Sequence, residues 1–446
     1  MRKTDAFRRA AALMAALSIT VSLAAPAFAG TYYIDDGDII ITKDENGRQT
    51  VKRSESDTSE IEDNGEIIIT TQESDLEGPA AEDTGFGPVV EKNYQPAQPE
   101  DAEEPKDADQ PESAEEPKSA DRQESAEEQE SAGPQPQQAA PAAAPAAPAP
   151  VNPKGNGVFG NIITVINKCA DKALKLTLKD VKIDVSHTGT ENYINPEAGK
   201  AALSVQGDGN VEIELDGKNE LKSGHFRAGL EKIISAGTLT LKDDNQKAGS
   251  LTATGGSYSA GIGGSYWGSG ENITINGGTV TATGSYYGAG IGGGENGSGK
   301  NITINGGTVN AKGGSQGAGI GGGGIGMYDG YTNGENITIN GGTVTATGGD
   351  RGAGIGGGSG SVSIGSGGGG YGSGKDITIN GGTVIAAGGK EAAGIGGGDS
   401  GSSENITITG GTVTAKGGEF GAGIGGGESG SGLSLIHISE PTRPRL

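Results

Sequence analysis

From residue 272 to residue 425 the chain repeats one pattern of apolar and polar positions. In Ile302-Thr303-Ile304 apolar residues alternate with Thr, and in Thr308-Val309-Asn310-Ala311 they alternate again. In Ala318-Gly319-Ile320 the residue between is Gly. Period two marks a strand with one covered face. Each unit therefore predicts three short strands, each offering two inward apolar side chains. Asn-Gly-Gly and Gly/Ser stretches separate them, and Gly supplies the positive φ that tight turns need. One such unit cannot bury its inner face, whereas stacked units can. The pattern predicts an all-β chain: a parallel β-solenoid, or β-helix, with three short strands per coil.

Five units are clear, beginning at Asn272, Asn301, Asn336, Asp376 and Asn405, with steps of 29, 35, 40 and 29 residues. Each carries Ala-Gly-Ile-Gly-Gly, beginning at Ala289, Ala318, Ala353, Ala393 and Ala422. The variable length falls between that motif and the next Ile-Thr-Ile, so insertions are expected to loop out at one corner. Degenerate units precede these, at Leu239, Leu251 and Ala260, at Ile213 and Ala228, and at Leu176 and Leu203. The repeat domain is thus read as 154–432.

Upstream, residues 30–77 hold two related units at 34–42 and 61–70, each an Asp/Asn-Gly turn before an Ile-rich strand. They read as a short hairpin-like module. Residues 78–153 are rich in Glu, Pro, Ala and Gln, too poor in apolar surface to fold, and are expected to form a disordered acidic linker. The formal charge is −24, and residues 31–152 hold 31 acids against 8 bases. The acidity therefore belongs to this arm, read as a tether or spacer, and hardly to the repeats. Residues 1–29 combine a basic start, an apolar stretch and Ala27-Phe28-Ala29, which reads as a cleaved export signal. The expected setting is secreted or cell-surface, with no transmembrane segment in the chain. Residues 433–446 break the repeat abruptly and resemble an in-frame sequencing adapter, so the expected surface anchor would lie in a missing C-terminal region.

Composition excludes several classes. The 87 glycines lack a Gly-X-Y period, which rules out collagen. Cys169 is the one cysteine, so no disulfide framework exists and a Cys/His zinc site is excluded. A pI near 4.5 disfavours nucleic acid. No nucleophile elbow or phosphate loop occurs, and His187 and His225 read as surface residues. The Asn-Ile-Thr sequons lie on strands and read as repeat chemistry.

Three surface features remain. One corner column runs Tyr258, Tyr287, Gln316, Arg351, Glu391, Phe420. Tyr258 and Tyr287, with Tyr266, Trp267 and Tyr286 nearby, offer aromatic faces for sugars. Their expected spacing of about 4.8 Å is close to one sugar ring. Acids follow the glycine run at Glu295, Asp399 and Glu428, where carboxylates beside polar loops make calcium the candidate cofactor. The outward threonines, such as Thr274 and Thr303, predict cross-strand ladders, with an ice-binding face as the exotic alternative.

The repeats resemble those of exported surface proteins of Gram-positive gut bacteria. Leu178-Lys-Asp-Val-Lys-Ile-Asp-Val185 and 211–223 resemble the carbohydrate-binding β-helix family. The likeness spans roughly 160–430 and implies binding of an acidic polysaccharide, plant or host, with calcium. The expected function is non-enzymatic polysaccharide binding. The alternatives are a structural adhesin or spacer, and a polysaccharide lyase-like enzyme, which would need paired carboxylates with a Lys or Arg on one face.

Overall fold

A computed structural model describes residues 30–54, 58–71, 160–191, 197–233, 235–245, 248–326, 332–360 and 371–433. The export signal, the 78–153 linker and residues 434–446 lie outside the described residues. No helix among the described residues is long and apolar enough to cross a membrane.

The repeats fold as a parallel β-solenoid with three faces. In one coil, Gly299–Ile304 lies on the first face, Thr308–Lys312 on the second and Ile320–Gly321 on the third. Each pairs in parallel, in register, with its counterpart in the next coil. Ile302 aligns with Ile337, Val309 with Val344 and Ile320 with Ile355. The inward residues Ile302, Ile304, Val309, Ala318 and Ile320 are fully buried, as the period-two pattern predicts. At roughly 2 kcal/mol per buried Ile or Val, these thin layers supply the driving force that one coil lacks.

Glycine recurs because neighbouring coils meet backbone to backbone. Gly292 has φ 135°, and a Cβ there would sit 1.9 Å from the Gly321 carbonyl oxygen. The Asn-Gly-Gly turn, Thr409-Gly-Gly in the last clear unit, ends on a left-handed glycine in each, for example Gly307 at φ 81°. The sequon asparagines form a ladder, with Asn301 Nδ2 donating to Asn272 Oδ1 at 2.9 Å and Asn336 Nδ2 to Asn301 Oδ1 at 3.2 Å. A second ladder joins Asn305 to Asn276 and Asn340 to Asn305. The threonines pair across coils, Thr274 with Thr303 and Thr303 with Thr338.

Residues 30–71, read from the sequence as a separate module, are part of the solenoid. Gly30–Tyr33 pairs in parallel with Ile67–Thr70, which pairs in parallel with Leu174–Lys179 on the first face. Ile39–Lys43 pairs in parallel with Ile163–Asn167 on the third face. A true antiparallel hairpin is present too, joining Ile39–Lys43 to Gln49–Lys52. The reason is burial: Ile39, Ile41, Ile67 and Ile69 are fully buried in the same core as Leu174 and Leu176. Described solenoid strands thus stand on both sides of the acidic segment in the sequence, so that segment does not join one folded module to another.

Candidate functional site

Two rows of side chains run along the solenoid on either side of the short third-face strand, one at the corner entering it and one at the corner leaving it. The first row is the column read from the sequence, with Phe226 added before Tyr258 by the alignment of Ala228 with Ala260. The second row follows the glycine run: Tyr266, Glu295, Gly324, Ser359, Asp399, Glu428. The backbone knits the rows together. Tyr266 N–H donates to Phe226 C=O, Glu295 N–H to Tyr258 C=O, Ser359 N–H to Gln316 C=O, and Asp399 N–H to Arg351 C=O. Side chains meet across the rows as well. Ser359 Oγ donates to Gln316 Oε1 at 2.8 Å, and Arg351 Nε lies 3.9 Å from Asp399. The expected aromatic and acidic candidates are therefore two sides of one strip.

At its aromatic end, Phe226 stacks on Tyr258 with centroids 5.7 Å apart, and Tyr258 on Tyr287 at 5.6 Å. Ring stacking thus covers the facing surfaces of Phe226, Tyr258 and Tyr287, leaving Tyr258 and Tyr287 half-buried. Ring spacing close to the coil repeat makes neighbouring rings each other's best partners. The outward rings are the flanking ones. Trp267 is 50% exposed, Tyr286 53% and Tyr266 40%. Tyr266 meets Trp267 edge-on at 6.0 Å, and Tyr286 meets Tyr287 edge-on at 4.7 Å. These contacts brace the rings.

The backbone under this cluster is strained. Phe226, Tyr258 and Trp267 have φ of 65°, 64° and 60°. Bulky side chains in the left-handed region cost about 1 kcal/mol or more each. At the place of Trp267 the later coils put Asn296, Ile325, Gly360, Ser400 and Ser429, of which Asn296, Ser400 and Ser429 are also left-handed and are small polar residues. The aromatic choice at this corner is against conformational preference.

Glu295 stands in the second row beside Tyr258 and is 7% exposed. Its carbonyl accepts from Trp267 N–H at 3.0 Å. Burial pushes its carboxyl up to about 7. Among the described residues its side chain has no hydrogen bond or ion pair, and the adjacent Asn296 Nδ2 is buried without a partner. His225 Nδ1 contacts Ser257 Oγ at 2.9 Å, and Arg227 pairs with Glu231 at 2.9 Å.

The other end of the strip gathers acids. Carboxylate oxygens of Glu391, Asp399 and Glu428 lie within 4.8 Å of one another. Glu295 is three coils away in its row, so the expected set of Glu295, Asp399 and Glu428 is not one cluster, and Glu391 takes its place. Burial pushes the Asp399 carboxyl up, against the pull of Ser400 and Arg351. Arg351 Nε lies 3.0 Å from Glu391, so a guanidinium already balances one carboxylate. Calcium takes six to eight oxygens, and these three carboxylates beside an arginine do not make that cage.

A third place was missed in the sequence. A cavity of about 350 Å³ on the first face is lined by Glu66, Thr177, Glu214, Asp216, Lys242, Asp244 and Asn245, among others. The signal was present: Glu212, Glu214 and Asp216 alternate along Val211–Lys222. Glu214 and Asp216 are nonetheless 4% exposed, because Asp244 N–H and Asn245 Nδ2 cover them. Burial pulls the Lys242 ammonium down, but Asp244, Glu214 and Glu212 outweigh that and hold it above the ordinary lysine range.

A family model described as Beta helix repeat matches residues 247–266, 273–295, 302–324, 337–359, 377–399 and 406–428. These segments are β-helix repeats. Each runs from strand to corner, and all six end on the second-row residue of the strip. Comparison with curated proteins and with solved structures gives no match. The β-helix repeat thus accounts for the glycines, the ladders and the core.

Proposed function

We propose that this is an exported, non-catalytic protein whose β-helix holds a polysaccharide along the corner strip, with Tyr266, Trp267 and Tyr286 as the contact surface. The observation that carries the reading is the strained, half-exposed Trp267, set where three of the five later coils use Asn or Ser and none uses an aromatic residue. Strain kept at a surface position points to use rather than packing. Aromatic faces over polar surroundings suit the apolar faces of sugars. Single ring contacts are weak, about 1 kcal/mol by analogy with aromatic pairs, so useful affinity requires a polymer that spans several coils. The long repetitive strip meets that requirement. The test is a glycan array with a pull-down on insoluble polysaccharides. Binding to polymers but not to monosaccharides is expected; absence of binding to every polymer overturns the reading.

The first-face cavity supports a second reading, elimination chemistry on a uronate polymer, because it combines carboxylates with Lys242. A lysine held protonated by its neighbours is a poor base, which ranks this reading behind the first. A fall in polygalacturonate viscosity on adding the protein would promote it.

A further inference from the structure

The charge balance of the aromatic corner points to the class of polysaccharide it takes. In the described corner segments that carry the rings, His225, Arg227 and Glu295 are the titratable groups besides the tyrosines. Arg227 is committed to Glu231, whose Oε1 also accepts from Ser265 Oγ at 2.6 Å. His225 is engaged with Ser257. Glu295 has neither ion pair nor hydrogen bond among the described residues, although its backbone is bonded to both Tyr258 and Trp267. Gly326 lies so close that a Cβ there would collide with Glu295 Oε1. The carboxylate is thus held against Gly326 of the next coil, one residue's backbone away from the ring-bearing corner, with no cation among the described residues to balance it.

The Glu295 carboxylate accepts hydrogen bonds and repels anions, while the unpartnered Asn296 Nδ2 beside it can donate to a neutral acceptor such as a hydroxyl or an acetamido carbonyl. A buried acceptor without a donor gains most from a ligand N–H or O–H. A uronate carboxylate brought to the same corner meets like charge at reduced dielectric, with no arginine or lysine free to pair with it. We propose that the aromatic end of the strip selects uncharged polysaccharide, rich in hydroxyl or acetamido N–H donors, over polymers of uronic acids. This rests on the polysaccharide reading above and reverses the acidic glycan that the family resemblance implies.

The experiment measures binding of the full chain to three probes: a neutral β-glucan, N-acetylglucosamine oligomers and polygalacturonate. It is run at pH 8 with chelator present, so that Glu295 is ionised and calcium cannot bridge anions. The parent protein is expected to bind at least one uncharged probe at least tenfold more tightly than polygalacturonate. Glu295→Gln should narrow that ratio to threefold or less, chiefly by raising affinity for the uronate polymer. Polygalacturonate binding as tightly as the uncharged probes overturns the inference, as does an unchanged ratio in a folded Glu295→Gln. Tight uronate binding would leave the polysaccharide reading standing, whereas no binding to any of the three overturns the inference and leaves the polysaccharide reading to the wider array.

Discussion

Single residues at the corner set function against stability. Trp267 holds φ 60° with half its surface exposed. Trp267→Gly should therefore be more stable than Trp267→Ala by about 1 kcal/mol, because only glycine enters the left-handed region freely. Thermal melts of the two variants check this, and both should bind polysaccharide poorly. Glu295 makes a second case. Its folded carboxyl titrates at about 7, against about 4.3 in an unfolded chain. Between those values the folded state holds more protons, so its contribution to stability falls as pH rises from about 4.3 to 7. Glu295→Gln should be more stable than the parent at pH 8 by about 1–2 kcal/mol, after allowance for solvent screening. By pH 4 the difference should vanish; denaturant melts at both pH values decide it. The sequence put Tyr258 and Tyr287 in one corner column and Trp267 in the next corner loop, and read Glu295 as a separate acid feature; the backbone bonds between the rows were not legible in it. It could not show that Tyr258 and Tyr287 cover each other, because repeat position fixes where a side chain starts but not where its ring packs. Phe226 escaped notice because its coil departs from the consensus, leaving only the Ala228-Gly-Leu230 spacing as a guide.

The strands and turns were the most legible scale, since each rests on a local rule repeated many times. Ile-Thr-Ile and Thr-Val-x-Ala alternate as strands, and every inward position of the central coils is buried. The third strand is reduced to Ile-Gly, because glycine-to-glycine stacking leaves no room for longer pairing. Gly292→Ala should lower the melting temperature sharply, by several kcal/mol in free energy. It sets a Cβ against the Gly321 carbonyl and also places alanine at φ 135°. Ala282→Gly on the neighbouring strand should cost only about 1 kcal/mol. Equal effects from the two changes would mean that the coils are not in close backbone contact. The acids of Val211–Lys222 were readable as an outward row, yet their burial was not, because it depends on Asp244 and Asn245 one coil further on.

For the whole molecule, the sequence separated what the structure joins. Composition changes sharply near residue 78, which suggests a boundary. The Ile-rich strands before it nevertheless complete the first coils, because parallel partners for Leu174–Lys179 and Ile163–Asn167 had to come from somewhere. Replacing residues 79–151 with a short flexible joint should keep the fold. It should raise stability by about 1 kcal/mol, since a shorter closed loop has less entropy to lose. Removing residues 30–71 should destabilise the protein strongly, because Leu176 and Leu178 lose their cover; circular dichroism melts distinguish the two deletions. The account as a whole turns on the exposed rings of the corner strip. The most direct measurement is the affinity of the Tyr266→Ala, Trp267→Ala, Tyr286→Ala triple variant for the polysaccharide that the parent binds best, with its β-signal in circular dichroism checked first. The account predicts an intact fold and at least tenfold weaker binding; a folded variant that binds as tightly as the parent would contradict it.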